Sequence, residues 1–390
     1  MIRLKRLWLA AVLTLCVGAT ASAYNLTVGT SDHGTLTFLV DGTATTSAQS
    51  GQTVTVSIKP DADYAVETVT ARAYSSWEAA RSRRRAPALV KDIALTGSDT
   101  QWTLLMPEAN VEVSVTFRTT RLHYAVEAED SESGKDVSGV TLTMQITDEA
   151  AKAATVDRIV IPGSLAGEPL MVHIPATAGS YAVTGIATGA IAAGSNVTDV
   201  WLPATERPLA IAEGALPATA VIHSPLALLD DYALMASLSE NYEAVKVMTT
   251  VEPANAYWTL SCGVDVVLPE GLKPHIVYTE GAAIRMVPIS SSELQLAGGR
   301  VGIKANNGVL LIGQKGVSYD LVASPGHQRS GTVPATTNAR SYGAKNQLEP
   351  VIERRNFAAG SYLVLKDNHF HSIKANASRV KACKAVLRVK

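Results

Sequence analysis

The chain has 390 residues, which is enough for two or three domains that each bury a core of their own. Hydrophobic residues make up 47% of the chain and charged residues 18%, a mixture that excludes an intrinsically disordered protein. The formal net charge of −1 at pH 7 provides no long-range field to attract nucleic acid, so we expect no nucleic-acid partner.

The first 23 residues have the pattern of a signal peptide. Three cations (Arg3, Lys5 and Arg6) precede an apolar stretch over residues 7–17, and Ala21-Ser22-Ala23 supplies the small residues of a cleavage site. We predict cleavage after Ala23; an uncleaved anchor is the alternative. No other stretch reaches transmembrane length, so the mature chain is expected to have no membrane span and to be secreted or held at the outer cell surface.

Residues 24–120 are predicted to form a small β domain. Apolar residues alternate with polar ones over 53–58 and over 111–117, the period of strands with one buried face. The series Gly34–Phe38, Gly51–Val56 and Met106-Pro107 with Asn110-Val111 resembles the InlB-type B-repeat. The resemblance implies an adhesive or spacer module without enzymatic activity.

This domain departs from the B-repeat pattern by an insertion over residues 75–88. The insertion carries a basic cluster, made of Arg81, Arg83, Arg84 and Arg85. The cluster could bind an acidic glycan or an anionic surface, or present a protease site. The alternative is a solvated hairpin tip, which is the usual fate of a charge run.

Residues 121–155 are interpreted as a linker or a lead-in strand, with one clear strand over 140–146. An internal repeat follows over residues 156–245. The segment around Ile186 recurs around Ile211, an offset of 25 residues that lies in the range of leucine-rich repeats. Such units cannot bury their apolar side alone, so neighbouring units must stack.

Several short strands of this region end in an apolar residue and a proline, as in Ile174-Pro175 and Leu202-Pro203. With the Gly189-Ala190-Ile191 turn, this resembles the BspA-type leucine-rich repeats. The array is short and degenerate, because Ile191 and Leu216 stand where the family has Phe. The resemblance implies a surface adhesin that binds host matrix proteins.

A helix is predicted near residues 225–238, with Ser224 as N-cap and Pro225 at the first helical position. Leu228, Tyr232 and Met235 recur at helical spacing, so one face of the helix is expected to pack on the core. We interpret this helix as the cap that closes the repeat stack.

Residues 251–390 are predicted to form a third, strand-rich domain, a β-sandwich that resembles the C-terminal module of secreted Bacteroidetes proteins. Cys262 and Cys383 lie in its first and last strands. In an oxidising compartment the two could form a disulfide, and two buried free thiols are the alternative.

Patterns that would indicate catalysis are weak. Gly308–Gly313 lacks the helix start of a phosphate loop, and Asp230 and Asp231 point apart on a helix. His369 and His371 have strand spacing that suits a metal, but the sequence places no third ligand near them. We therefore predict no enzyme, no cofactor and no metal, and an unrecognised hydrolase is the third hypothesis.

The sequence as a whole predicts a mainly β, multi-domain protein with a small β module, a short leucine-rich-repeat stack and a C-terminal β-sandwich. The expected function is non-enzymatic binding or adhesion, with a host or matrix protein or a glycan recognised through the repeat face. A structural spacer without a ligand of its own is the alternative. An exposed aromatic or apolar patch on the repeat face would favour the binding protein.

Overall fold

A computed structural model describes residues 22–75, 89–239, 246–324, 342–374 and 379–389. Strands account for 52% of the structure and helices for 5%, which confirms the predicted mainly β, multi-domain fold class. The chain divides into two compact units, Met1–Thr120 and Arg121–Lys390. The basic cluster of the insertion and nearly all of the predicted signal peptide lie outside the described residues.

The described residues of the first unit form ten strands in two five-stranded sheets, ordered β4-β1-β10-β6-β7 and β3-β2-β5-β9-β8. In chain order the strands are β1 (Ala23–Val28), β2 (Gly34–Val40), β3 (Thr43–Ala44), β4 (Ser47–Gln49), β5 (Thr53–Pro60), β6 (Tyr64–Tyr74), β7 (Leu89–Ile93), β8 (Thr96–Ser98), β9 (Gln101–Leu105) and β10 (Asn110–Thr119).

The core of this unit lies on the alternating apolar positions of its longest strands. Val54, Val56 and Ile58 of β5 are buried, and the residues between them are half-exposed or exposed. Val111 and Val113 of β10 belong to the same core. The strand pattern predicted over residues 53–58 and 111–117 is thus confirmed. Strand β1 begins at Ala23, the predicted cleavage residue.

The second unit begins with the repeat region. Its strands are β11 (Arg121–Ala125), β12 (Ala128–Asp130), β13 (Lys135–Val137), β14 (Thr141–Asp148), β15 (Ala153–Val160), β16 (Leu170–His173), β17 (Thr177–Ala178), β18 (Tyr181–Ile186), β19 (Val197–Trp201), β20 (Ala210–Ile211), β21 (Val221–His223) and β22 (Lys246–Val251). Two short α-helices, α1 (Leu229–Ala233) and α2 (Ala236–Ser239), stand between β21 and β22. Three-residue 3₁₀ helices occur at Gly163–Leu165, Leu226–Leu228 and Ala297–Gly299.

The rest of the second unit is also built of strands. They are β23 (Tyr257–Leu260), β24 (Asp265–Val267), β25 (Lys273–Glu280), β26 (Ala283–Pro288), β27 (Gly302–Ile303), β28 (Val309–Ile312), β29 (Tyr319–Ser324), β30 (Leu348–Val351), β31 (Arg355–Asn356), β32 (Tyr362–Lys366), β33 (His369–Ser372), β34 (Arg379–Val380) and β35 (Lys384–Arg388).

In the repeat region the chain alternates between two sheets. Strands β15, β18 and β20 pair in parallel in one sheet, while β16, β19, β21 and β22 pair in parallel in the other. Ile186 lies opposite Ile211, so the predicted 25-residue offset is confirmed as a register of stacked strands. In the second sheet Val172, Val200 and Ile222 are aligned and fully buried, which supplies the continuous core that stacked units need.

The second of these sheets extends beyond the repeats in both directions. It has nine strands, in the order β13-β12-β16-β19-β21-β22-β29-β24-β27. Residues 121–155, interpreted from the sequence as a linker or a lead-in strand, form strands that join both repeat sheets. Strand β22 pairs antiparallel with β29, so hydrogen bonds cross the boundary expected between the repeat region and the C-terminal domain. One buried core cluster accordingly runs from Val126 to Cys383.

The helical segment caps this core, although its first turn differs from the prediction. Leu228 and Tyr232 are buried in the core cluster, and the Tyr232 hydroxyl accepts a hydrogen bond from the Leu209 N–H at 2.9 Å. The prediction of Ser224 as a side-chain N-cap is wrong. Pro225 precedes a 3₁₀ turn without a side-chain cap, and the Ser224 hydroxyl donates to the Pro225 carbonyl instead.

Two four-stranded sheets make up much of the C-terminal part, ordered β23-β28-β25-β26 and β30-β35-β32-β33. Val277 and Leu310 of the first sheet share a buried cluster with Leu348, Ala385 and Leu387 of the second. Residues 308–313, whose glycine spacing imitates a phosphate loop, contain strand β28.

Candidate ligand-binding face of the repeat sheet

Three successive parallel strands of the repeat sheet each end in a residue with an aromatic ring. His173 is the last residue of β16, Trp201 of β19 and His223 of β21, and the register places the three side by side. Side chains alternate across a strand, so the rings project from the face opposite the buried Val172 and Val200. In a solenoid the outer face of such a sheet is the surface available for binding.

The three rings form one parallel stack, called the ring stack below. The ring centroids of His173 and Trp201 are 5.5 Å apart with planes inclined by 8°. The centroids of Trp201 and His223 are 4.0 Å apart with planes inclined by 7°. The indole is therefore flanked by an imidazole on each face, more closely on the His223 side than on the His173 side. Ring edges carry partial positive charge and attract hydrogen-bond acceptors.

Two carboxylates flank the ring stack. The Asp199 Oδ1 atom lies 2.7 Å from the His223 Nε2 atom, and the Glu129 Oε1 atom lies 3.6 Å from the His173 Nε2 atom. Asp199 precedes Trp201 by two residues on the same strand and so shares its face. Glu129 comes from β12, which pairs antiparallel with β16. The result is a row of rings in which each of the two outer imidazoles lies close to a carboxylate.

The exposed fraction of the side chains increases along the ring stack, from His223 to His173. The His223 side chain is 10% exposed and Asp199 is 20% exposed, whereas His173 and Glu129 are each 33% exposed. Within the described part of the chain, the Trp201 Nε1 and His223 Nδ1 atoms are buried and lack a hydrogen-bond partner. Buried polar atoms without partners destabilise a fold. Stability alone does not account for these residue types at these positions.

The ring stack does not show as a motif in the sequence. Its members are of two residue types and recur at unequal intervals, so no simple repeat reveals them. A weaker signal was present, because proline follows each ring by two residues: Pro175, Pro203 and Pro225. If each proline marks the same position after a strand, the three rings should lie side by side when the strands pair.

The two cysteines singled out from the sequence are brought together. Cys262 and Cys383 are both buried and are free thiols in the structure. Interaction with the Cys383 thiol, together with burial, raises the pKa of Cys262 well above its usual value. The Cys383 thiol donates to the Leu226 carbonyl oxygen at 3.0 Å.

The remaining residues considered for chemistry are dispersed. The rings of His369 and His371 are 6.4 Å apart on the exposed strand β33. Among the described residues no group of three or more His, Cys, Asp or Glu side chains could hold a metal ion. Asp230 is buried and accepts the Gly263 N–H at 2.6 Å, while Asp231 is exposed. The two carboxylates thus point apart, as predicted.

No helix among the described residues is both long enough and apolar enough to cross a membrane. Comparisons with protein-family models, with curated proteins and with solved structures found no match to this chain.

Proposed function

We propose that the chain is a non-enzymatic binding protein, secreted or displayed at the cell surface, which recognises its ligand through the ring stack on the repeat sheet. The observation that carries this proposal is the aligned row His173–Trp201–His223, whose outer imidazoles lie close to Glu129 and Asp199. The N-terminal sequence supports the location, and the resemblance to BspA-type repeats supports the adhesive role.

The geometry favours a protein ligand over a glycan. A sugar ring binds an aromatic side chain by lying on its face, and both faces of Trp201 are occupied. The partly exposed His173 ring and the two carboxylates instead suit polar groups of a polypeptide, such as carbonyl oxygens and basic side chains. A host or matrix protein is therefore the ligand class we propose, with a glycan as the alternative.

A structural spacer is the second candidate function. The packing around Trp201 is compatible with a spacer, because stacked aromatic side chains on neighbouring strands can simply stabilise the sheet. A spacer needs no patch where polar edges lie next to carboxylates. The unpaired Trp201 Nε1 and His223 Nδ1 atoms count against a purely cohesive role, since they weaken the stack they belong to.

A binding screen separates these candidates. The purified mature chain is tested by surface plasmon resonance against a panel of extracellular-matrix proteins, and in parallel on a glycan array. Saturable binding to a matrix protein with a dissociation constant in the micromolar range or below supports the proposal. Binding to glycans alone favours the glycan alternative. Failure to bind any member of either panel would leave the spacer as the better account.

A further inference from the structure

A second candidate site lies in the second unit and is lined by residues that do not belong to the ring stack. A cleft of about 380 Å³ opens between the segment that joins β22 to β23 and the ends of β32 and β35. This volume falls in the range of pockets that hold small organic ligands, about 300–1,000 Å³. Its lining includes the apolar side chains Leu226, Tyr257 and Leu365.

Lys384 lines this cleft and is half-buried at the start of β35. Within the described part of the chain its ammonium group has neither a hydrogen-bond partner nor an ion-pair partner. Burial lowers the pKa of Lys384 below its usual value. A sheltered cation without a counter-ion is unfavourable for folding, and a bound anion would offset that cost.

Next to the cleft lies a tryptophan whose indole N–H is buried. Trp258 lines the cleft and is only 8% exposed, and its Nε1 atom has no hydrogen-bond partner in the described residues. Both a lysine ammonium and an indole N–H can donate hydrogen bonds but cannot accept them. Glu252 and Asp367 belong to the lining too, but both are exposed and neither reaches Lys384 as an ion-pair partner.

We infer that this cleft binds a small organic anion, a carboxylate carried on an apolar or aromatic body. The carboxylate would pair with the Lys384 ammonium group. The apolar body would lie against Leu226, Leu365 and Tyr257, where its burial contributes to affinity. The inference is independent of the ring stack and of the ligand proposed for it.

The test uses two probes of nearly the same shape, 3-phenylpropionate and its neutral amide, titrated into the full mature chain by calorimetry or NMR. For a ligand of this size we expect a dissociation constant on the order of 1 mM for the carboxylate. The amide should bind at least about tenfold more weakly, because it cannot pair with the ammonium group.

Lys384→Met keeps an unbranched side chain, shorter by the amino group, and removes the charge. It should weaken carboxylate binding about tenfold or more and leave the amide unchanged. Lys315→Met is the matched control, since Lys315 is an exposed lysine outside the cleft, and it should bind as wild type. Thermal melting establishes that each variant is folded. If Lys384→Met does not fold, Lys384→Gln replaces it in the same comparison.

Three results would overturn the inference. One is equal affinity for the carboxylate and the amide. Another is full carboxylate binding by a folded variant that lacks the Lys384 charge. The third is no detectable binding of either probe to the wild-type chain.

Discussion

The indole ring of Trp201 and the imidazole ring of His223 lie face to face, with centroids 4.0 Å apart and planes within 7° of each other. The contact exists because β19 and β21 pair in parallel with Trp201 opposite His223. A slip of one residue would turn one of the rings into the core. The ring stack therefore depends on the register of the repeat strands, and that register depends on the core beneath them.

Removing a core side chain under the stack should be costly. Ile222 is fully buried and is aligned with Val200 on one side and Val247 on the other. We expect Ile222→Ala to lower the free energy of unfolding by about 2–5 kcal/mol, from lost burial and the cavity that remains. Urea denaturation measures the change. Val160→Ala, at a site 46% exposed, should stay within about 0.5 kcal/mol of wild type. Equal losses in the two variants would show that Ile222 does not support the stack.

The Asp199–His223 pair should show measurable coupling. The two atoms are 2.7 Å apart and both side chains are mostly sheltered from water. A double-mutant cycle with Asp199→Asn and His223→Phe is expected to give a coupling energy of roughly 0.5–3 kcal/mol. The exposed pair Glu280–Arg285 provides the matched cycle and should give less than about 1 kcal/mol. A coupling near zero for Asp199–His223 would mean that the carboxylate does not hold the ring in place.

Alkaline pH should destabilise the second unit through Tyr342. Burial raises the pKa of this hydroxyl to about 12, and the Lys304 N–H donates to it at 2.6 Å. The pKa of a tyrosine in the unfolded chain is near the usual value of 10.0. Between these two pH values the folded state holds the proton and the unfolded state releases it, so stability falls as pH rises through this window. The contribution that is lost amounts to roughly 2 kcal/mol.

Denaturation midpoints measured from pH 9 to pH 12 test this expectation. Tyr342→Phe should be less stable than the wild type at pH 9, because the Lys304 N–H loses its acceptor. Above pH 10 the stability of the variant should fall less steeply with pH than that of the wild type. Parallel pH profiles of the variant and the wild type would exclude Tyr342 as the cause.

The buried thiols should be convertible into a disulfide. Cys262 and Cys383 interact directly, so mild oxidation of the mature chain is expected to join them. The bond would close a long loop and could stabilise the fold by up to about 4 kcal/mol in the chain-entropy description. Mass spectrometry after alkylation under denaturing conditions should find no labelled cysteine in the oxidised sample and two in the reduced one. Two labelled thiols in both samples would rule out the bridge.

Much of the fold follows from the period of apolar residues in the sequence. The alternation of Val54, Val56 and Ile58 predicts a strand with one buried face, because side chains on a strand point to opposite sides in turn. The likeness between the segments around Ile186 and Ile211 predicts the register in which β18 and β20 stack.

Other elements are determined by contacts between distant segments, and no local sequence pattern predicts them. The strands β12 and β13 are three residues each, too short to show a period, and β12 is held by pairing with β16. The ring stack requires that β16, β19 and β21 already lie side by side. The nearness of the Cys262 and Cys383 thiols was only one of two outcomes that the sequence allowed.

The central claim, that the ring stack is a binding surface, is tested most directly by comparing three single variants for binding to the matrix protein found in the screen. Trp201→Ala removes the middle of the stack, and His173→Ala removes its open edge. Tyr124→Ala is the control, because Tyr124 is an exposed aromatic residue on β11 in the other sheet of the repeat region. The account predicts at least about a tenfold loss of affinity for the first two variants, as for residues central to an interface, and none for Tyr124→Ala. Wild-type affinity in folded Trp201→Ala and His173→Ala would contradict it.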